Sequence, residues 1–155
     1  MQIEAIDQLD RAILKELMRD GRLSNVELAE RVNLSPSACL RRVRALERAG
    51  MIAGYVMLLD AKRANIAGVA FVSVTLKDQG RTTLDKFENA VLRHPEIAEC
   101  YLIAGTADYL LRVAYRDSAD FERIHTKVLT QLPGVLRVQS TLTLRTVKHT
   151  TALPV

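Results

Sequence analysis

The sequence predicts an α+β protein, an N-terminal winged helix-turn-helix joined to a ferredoxin-like β-α-β-β-α-β domain. Three observations carry this. The stretch from Ser24 to Gly50, SNVELAERVNLSPSACLRRVRALERAG, holds two short helical periods separated by a tight turn, and the second is strongly basic. Beyond residue 68 the apolar period becomes that of strands, interleaved with two helical stretches. The two halves of that region echo each other: VLRHPEIAECYLI and VLTQLPGVLRVQSTL both run from a helix end through a proline into a strand.

The first helix is marked by Leu9, Ile13 and Leu17, with Leu14 and Met18 beside them; Asp7 and Asp10 sit where a helix dipole favours negative charge, and Asp20-Gly21 stops it. Ser24 and Glu27 form a capping box for the second helix, which turns Leu28, Ala29 and Val32 inward. Asn33 suits the left-handed residue that ends it. Ser35-Pro36 opens the third helix, because serine caps and proline tolerates the first helical position. Leu34 can staple onto Cys39. Cys39, Val43 and Leu46 fall on one face, which leaves Ser37, Ala38, Arg41, Arg42, Arg44 and Arg48 toward solvent or a partner. Gly50 ends the helix. Met51 to Leu59 reads as a two-stranded wing turning at Ala53-Gly54.

A short helix with four arginines against one acid, Glu47, suits the major groove of double-stranded DNA. An arginine can bridge two acceptors on a guanine edge or clamp a phosphate. The expected DNA-binding residues are therefore Ser35, Ser37, Ala38, Arg41, Arg42, Arg44 and Arg48. The bland alternative is a solvated charged face; the short turn and the second cap favour DNA.

Asp60 to Gly68 is polar and small, the candidate hinge. It divides a DNA-binding domain at 1–59 from a second domain at 69–155. In the second, Val69 to Lys77 is a strand, and Leu84, Phe87, Val91 and Leu92 mark a helix ending before Pro95. Ile97 to Ala104 is the next strand, Gly105 to Asp108 a tight turn, and Tyr109 to Tyr115 a third strand. Ser118 caps a helix with Phe121, Ile124, Val128 and Leu132 inward, Pro133-Gly134 stops it, and Val135 to Val147 is the last strand. Such a unit stacks both helices on one side of an antiparallel sheet. The other side stays open, and a symmetric homodimer would cover it.

Bulk properties set bounds. The chain has 155 residues, 48% hydrophobic and 26% charged, with net charge +4. No apolar run nears the roughly 18–20 residues of a membrane span. The opening MQIEAIDQLD is acidic and lacks an apolar block, so neither a signal peptide nor a membrane association is expected, and the chain reads as cytoplasmic. Cys39 and Cys100 stand apart in apolar segments and read as buried thiols. No cofactor or metal is expected.

Together the segments GRLSNVELAERVNLSP, CLRRVRALERAGMIAGY, PEIAECYLIAGTADYLLRV and LPGVLRV resemble the leucine-responsive regulatory protein/AsnC family of feast/famine regulators, over almost the whole chain. The resemblance implies a transcription regulator that dimerises through its C-terminal sheets, assembles further to an octamer of four dimers, and binds a free amino acid at contacts between dimers. By position it implies an effector pocket of Tyr101, Leu102, Ile103, Ala104, Gly105, Thr106 and Asp108, with Thr141, Leu142 and Thr143 from a neighbouring subunit. The chemistry fits. An amino-acid carboxylate needs amide donors, which a Gly105-Thr106 turn can present, and its ammonium needs an acceptor, such as Asp108. Asp108 as a turn residue bonding backbone is the alternative.

Other classes fare worse. His94, His125 and His149 are scattered, with no nucleophile elbow, phosphate loop or metal-spaced pair, so an enzyme is not expected. The alternative with the same residues is a nucleoid-associated, DNA-wrapping architectural protein without effector response. A stand-alone sensor with a vestigial DNA module is disfavoured by the intact caps and arginines around Ser35.

Overall fold

The computed structural model describes residues 6–155. The reading of the amino terminus as leaderless rests partly on residues 1–5, outside the described residues. The chain divides into two compact units, one of Met1–Leu58 with Lys148–Val155 and one of Leu59–Val147.

The helical unit contains α1 (Gln8–Arg19), α2 (Asn25–Arg31) and α3 (Pro36–Arg48). Each begins on a side-chain cap. Asp7 accepts from the Asp10 amide, Ser24 and Glu27 close the expected capping box, and Ser35 accepts from the Ala38 amide. Each bond satisfies an amide that the first helical turn leaves unpaired. Asn33 takes the left-handed conformation between α2 and α3, at φ 54°. Asn25 Nδ2 donates to the Pro36 carbonyl at 2.8 Å, tying the starts of α2 and α3 together. Ile13, Leu28, Ala29, Cys39 and Leu46 form the core.

The two-stranded hairpin expected at Met51 to Leu59 is not formed among the described residues of this chain. No strand lies between α3 and residue 68 among the described residues, and Ala53-Gly54 turns no hairpin. The amides of Met51 and Ile52 both donate to the Leu46 carbonyl, so these residues finish α3 rather than begin a strand. The Tyr55 hydroxyl then donates to Glu47 at 3.2 Å. Residues 53–60 then run without strand or turn.

The second unit holds β1 (Gly68–Leu76), α4 (Arg81–Val91), β2 (Ile97–Leu102), β3 (Tyr109–Tyr115), α5 (Ser118–Lys127), a 3-10 turn at Leu129–Gln131 and β4 (Val135–Leu142). The sheet order is β2-β3-β1-β4, antiparallel throughout, as the β-α-β-β-α-β reading requires. Ala70, Val72, Val74, Leu111 and Val113 face the helices and bury Phe87, Val91 and Ile124 with them. The opposite face carries Phe71, Ser73, Leu110, Arg112, Tyr101 and Thr141, and among the described residues of this unit no helix covers it. Phe71, on a central strand, is 41% exposed.

Four boundaries are corrected. Residues 60–68 are not a free hinge: Asp60 to Asn65 forms a turn closed by Ala64 N–H to Asp60 and Ile66 N–H to Ala61, and it belongs to the second unit. The cap of α5 is Asp117, which accepts from the Asp120 amide, while Ser118 is the first helical residue. The last strand stops at Leu142; the Thr143 amide makes the final ladder bond, to the Val69 carbonyl, and its hydroxyl donates to the same oxygen. The tail from Lys148, expected in the second domain, joins the helical unit. The Leu153 amide meets Met18 Sδ at 3.4 Å, and Val155 packs against the helical core.

Candidate nucleic-acid interface and effector turn

Helix α3 has a buried stripe and a charged exterior. Cys39 is fully buried, and burial raises its thiol above the ordinary value, so it is packing rather than a nucleophile. On the outside, Ser37, Leu40, Arg41, Arg44, Glu47 and Arg48 line an open groove of about 540 Å³. Arg41 and Arg44 are exposed with no carboxylate partner among the described residues. Arg48 donates from Nε to the Arg44 carbonyl, which leaves its charge unneutralised. Glu47, the one acid of α3, is occupied by Tyr55. The Ser35 hydroxyl is spent on capping, and Ala38 is half-buried.

Arg42 departs from the expectation that it points away from its own subunit. Its Nη1 donates to Asp7 Oδ2 at 2.7 Å and to Asp10 Oδ1 at 2.8 Å. Position 42 stands about 100° around the helix from Arg41, which carries it to the flank that meets α1. Leu40 and Glu47 in the groove, and the two acids on Arg42, were missed. An i, i+3 reading places Leu40 and Glu47 on α3, but no local spacing reveals an acid more than thirty residues away.

The expected effector residues fall into two groups. Tyr101 to Asp108 runs from the end of β2 through the turn into β3. Ile103 N–H donates to the Asp108 carbonyl and closes the turn. The amides of Ala104, Gly105, Thr106 and Ala107 have no acceptor among the described residues. A Cβ added at Gly105 would meet nothing within 4 Å, so the turn is open to an approaching group.

Asp108 is 7% exposed, and its carboxylate is already engaged. Oδ2 accepts from the Leu76 amide at 2.7 Å and Oδ1 from Gln79 Nε2 at 2.7 Å. The Leu76 amide needs this acceptor because the β1–β3 pairing ends at Val74–Tyr109, so no strand partner remains for it on that side. The carboxylate thus fixes the turn against the end of β1.

Thr141, Leu142 and Thr143 are not brought near that turn. β2 and β4 are opposite edges of the sheet, three strand spacings apart. Thr141 pairs with Phe71, whereas Tyr109 pairs with Val74 at the other end of β1. At about 4.8 Å between strands and 3.3 Å per residue, the two groups are roughly 17 Å or more apart. One subunit cannot close them around a small molecule.

Residues 69–153 match the family model described as the Lrp/AsnC ligand binding domain, and residues 6–53 match one for a winged helix-turn-helix DNA-binding module. The chain belongs to the Lrp/AsnC family of transcription regulators. The leucine-responsive regulatory protein of Escherichia coli is 40% identical over 148 residues, which cover 96% of this chain and 90% of that one. Two Lrp/AsnC-like solved structures are similar along their full length. A transcriptional regulator of Neisseria meningitidis, solved with L-methionine, has a TM-score of 0.93 at 39% identity and covers 97% of both chains. A feast or famine regulatory protein of M. tuberculosis, also complexed with L-methionine, has a TM-score of 0.82 at 32% identity, covering 96% of this chain and 99% of its own. Among the described residues no helix is long and apolar enough to cross a membrane.

Proposed function

We propose that this Lrp/AsnC regulator reads double-stranded DNA with Ser37, Arg41, Arg44 and Arg48 of α3 and adjusts that reading to a free amino acid. Ser35 and Ala38 set the start of the helix at the groove. The observation that carries the DNA half is the line of three guanidiniums, of Arg41, Arg44 and Arg48, with no carboxylate partner among the described residues. Counterion release from such a helix makes binding strongly salt-dependent.

The effector half rests on the free amides of Ala104 to Ala107, which form a cradle for the ligand's carboxylate. Tyr101, Leu102 and Ile103 lead into the cradle, and Asp108 holds it in place. The diagonal separation of Thr141 to Thr143 means that a second copy completes the site. The open sheet face supplies the homodimer contact, and dimers assemble further to an octamer. Methionine is the first ligand to test, because two related structures hold it. A cytoplasmic location follows from work on DNA.

The test is direct. DNA enriched from a random pool by the full-length protein is labelled and titrated with and without each of the twenty amino acids. At least one amino acid is expected to raise the melting temperature and to shift DNA affinity. Arg41→Ala is expected to weaken binding by about 1–3 kcal/mol. DNA binding with no response to any amino acid would favour the architectural, DNA-wrapping reading instead.

A further inference from the structure

We infer that Arg42 is a positioning residue of the DNA-reading helix, one that sets through Asp7 and Asp10 the angle at which α3 offers Arg41, Arg44 and Arg48. The inference rests on the DNA-reading function proposed above.

The geometry singles this residue out. A single nitrogen, Nη1, is shared between two carboxylates of α1 at 2.7 and 2.8 Å. Asp7 is itself rooted, since its Oδ1 caps α1 by accepting from the Asp10 amide at 2.8 Å. The chain of contacts therefore runs from the first turn of α1, through two carboxylates, to the middle of α3. Elsewhere α1 meets α3 through Ile13, Leu14, Cys39 and Leu46, all apolar. Apolar ridge-and-groove packing sets only a preferred crossing angle, about which different helix pairs scatter by about 15–20°, so shape alone leaves the angle underdetermined. Charge-assisted hydrogen bonds are directional and remove that freedom.

The angle matters because of leverage. At about 1.5 Å per residue, six residues separate Arg42 from either end of α3 by roughly 9 Å. A tilt of about 10° about Arg42 then moves each end by roughly 1.5 Å. Hydrogen bonds to base edges fail over a few tenths of an ångström.

Charge argues against direct DNA contact by Arg42. One guanidinium with two carboxylates carries a net −1, and such a cluster repels phosphate. By contrast, Arg41, Arg44 and Arg48 stand clear of any carboxylate partner among the described residues and face the open groove.

The experiment compares operator and non-specific DNA across a salt series, with full-length protein and the DNA enriched by the wild type. Arg42→Met is expected to lower operator affinity at least tenfold, with non-specific binding and the salt slope unchanged. Asp10→Asn is expected to weaken operator binding in the same way. The exchange Arg42→Asp with Asp10→Arg keeps all three charges and is expected to recover most of the loss. A salt slope reduced by about one per protomer in Arg42→Met would mean a lost phosphate contact and overturn the inference. So would tighter binding by Asp10→Asn, or wild-type operator affinity in Arg42→Met. If Arg42→Met does not fold, Asp10→Asn and the exchange decide alone. Failure of the wild type to enrich any DNA would overturn both this inference and the DNA-reading function, a result distinct from a changed slope.

Discussion

Asp108 shows how one carboxylate serves two ends. It supplies the acceptor that β1 lacks at Leu76, beyond the last β1–β3 pair, and steadies the turn whose amides find no acceptor among the described residues. Removing it strands a buried amide, and such a loss costs about 1–3 kcal/mol. Asp108→Ala is therefore expected to lower the denaturation free energy by that amount and to abolish amino-acid response. Asp108→Asn keeps one acceptor for Leu76 and turns its amino group toward Gln79, whose side chain can rotate to present its carbonyl. It is expected to lose less than half as much and to retain the response, as urea titration and calorimetry would show. A stable Asp108→Asn that binds no amino acid would mean that the charge meets the ligand itself. At Cys100 burial, and secondarily Glu88, push the thiol up to about 11, so its thiolate is scarce at neutral pH.

Elements differ in how visibly the chain announces them. The three N-terminal helices were legible because their stops and starts are local: Ser24 with Glu27, Asn33, Ser35 with Pro36, and Gly50 each act within a few residues. The strands Ile97–Leu102 and Tyr109–Tyr115 were legible from period and turn. The missing hairpin at Met51 to Leu59 was not, because an extended apolar run becomes a strand only when a second backbone pairs with it, and pairing is not written in the run itself. Nor was the bond from Arg42 to α1, which joins residues 32 and 35 positions apart. The start of α5 shows the same division. Asp117 replaces Ser118 as cap, and Asp120 reaches back to the Arg116 side chain and amide and across to Arg123. Those bonds, Arg116 first, hold the Asp120 carboxyl well below the ordinary value of 3.8. A carboxyl depressed in the folded state stabilises fully above its unfolded value and loses that contribution as pH falls toward the folded one. Thermal unfolding is thus expected to drop below about pH 4, and Asp120→Asn to flatten that limb. An unchanged acid limb would show that the network contributes nothing to folding.

At the scale of the molecule, two cores are built independently, one of helices around Cys39 and one between a sheet and its two helices. Under the proposed effector role, a second copy would cover the open sheet face and bring residues 141–143 to a turn that lies diagonally across the sheet from them. The carboxyl-terminal tail adds a further constraint. Because Lys148–Val155 returns to the unit formed by the first 58 residues, the sensory part is spliced into the DNA-reading part rather than appended to it. Deleting residues 148–155 uncovers the helical core where Val155 sits, and is expected to lower the melting temperature and weaken DNA binding while amino-acid binding persists. Calorimetry on the truncated protein would check both halves of that statement, and an unaltered melting temperature would refute it. An insert has two covalent links to its host where an appendage has one, so a single cut at one link leaves sensor and reader still joined.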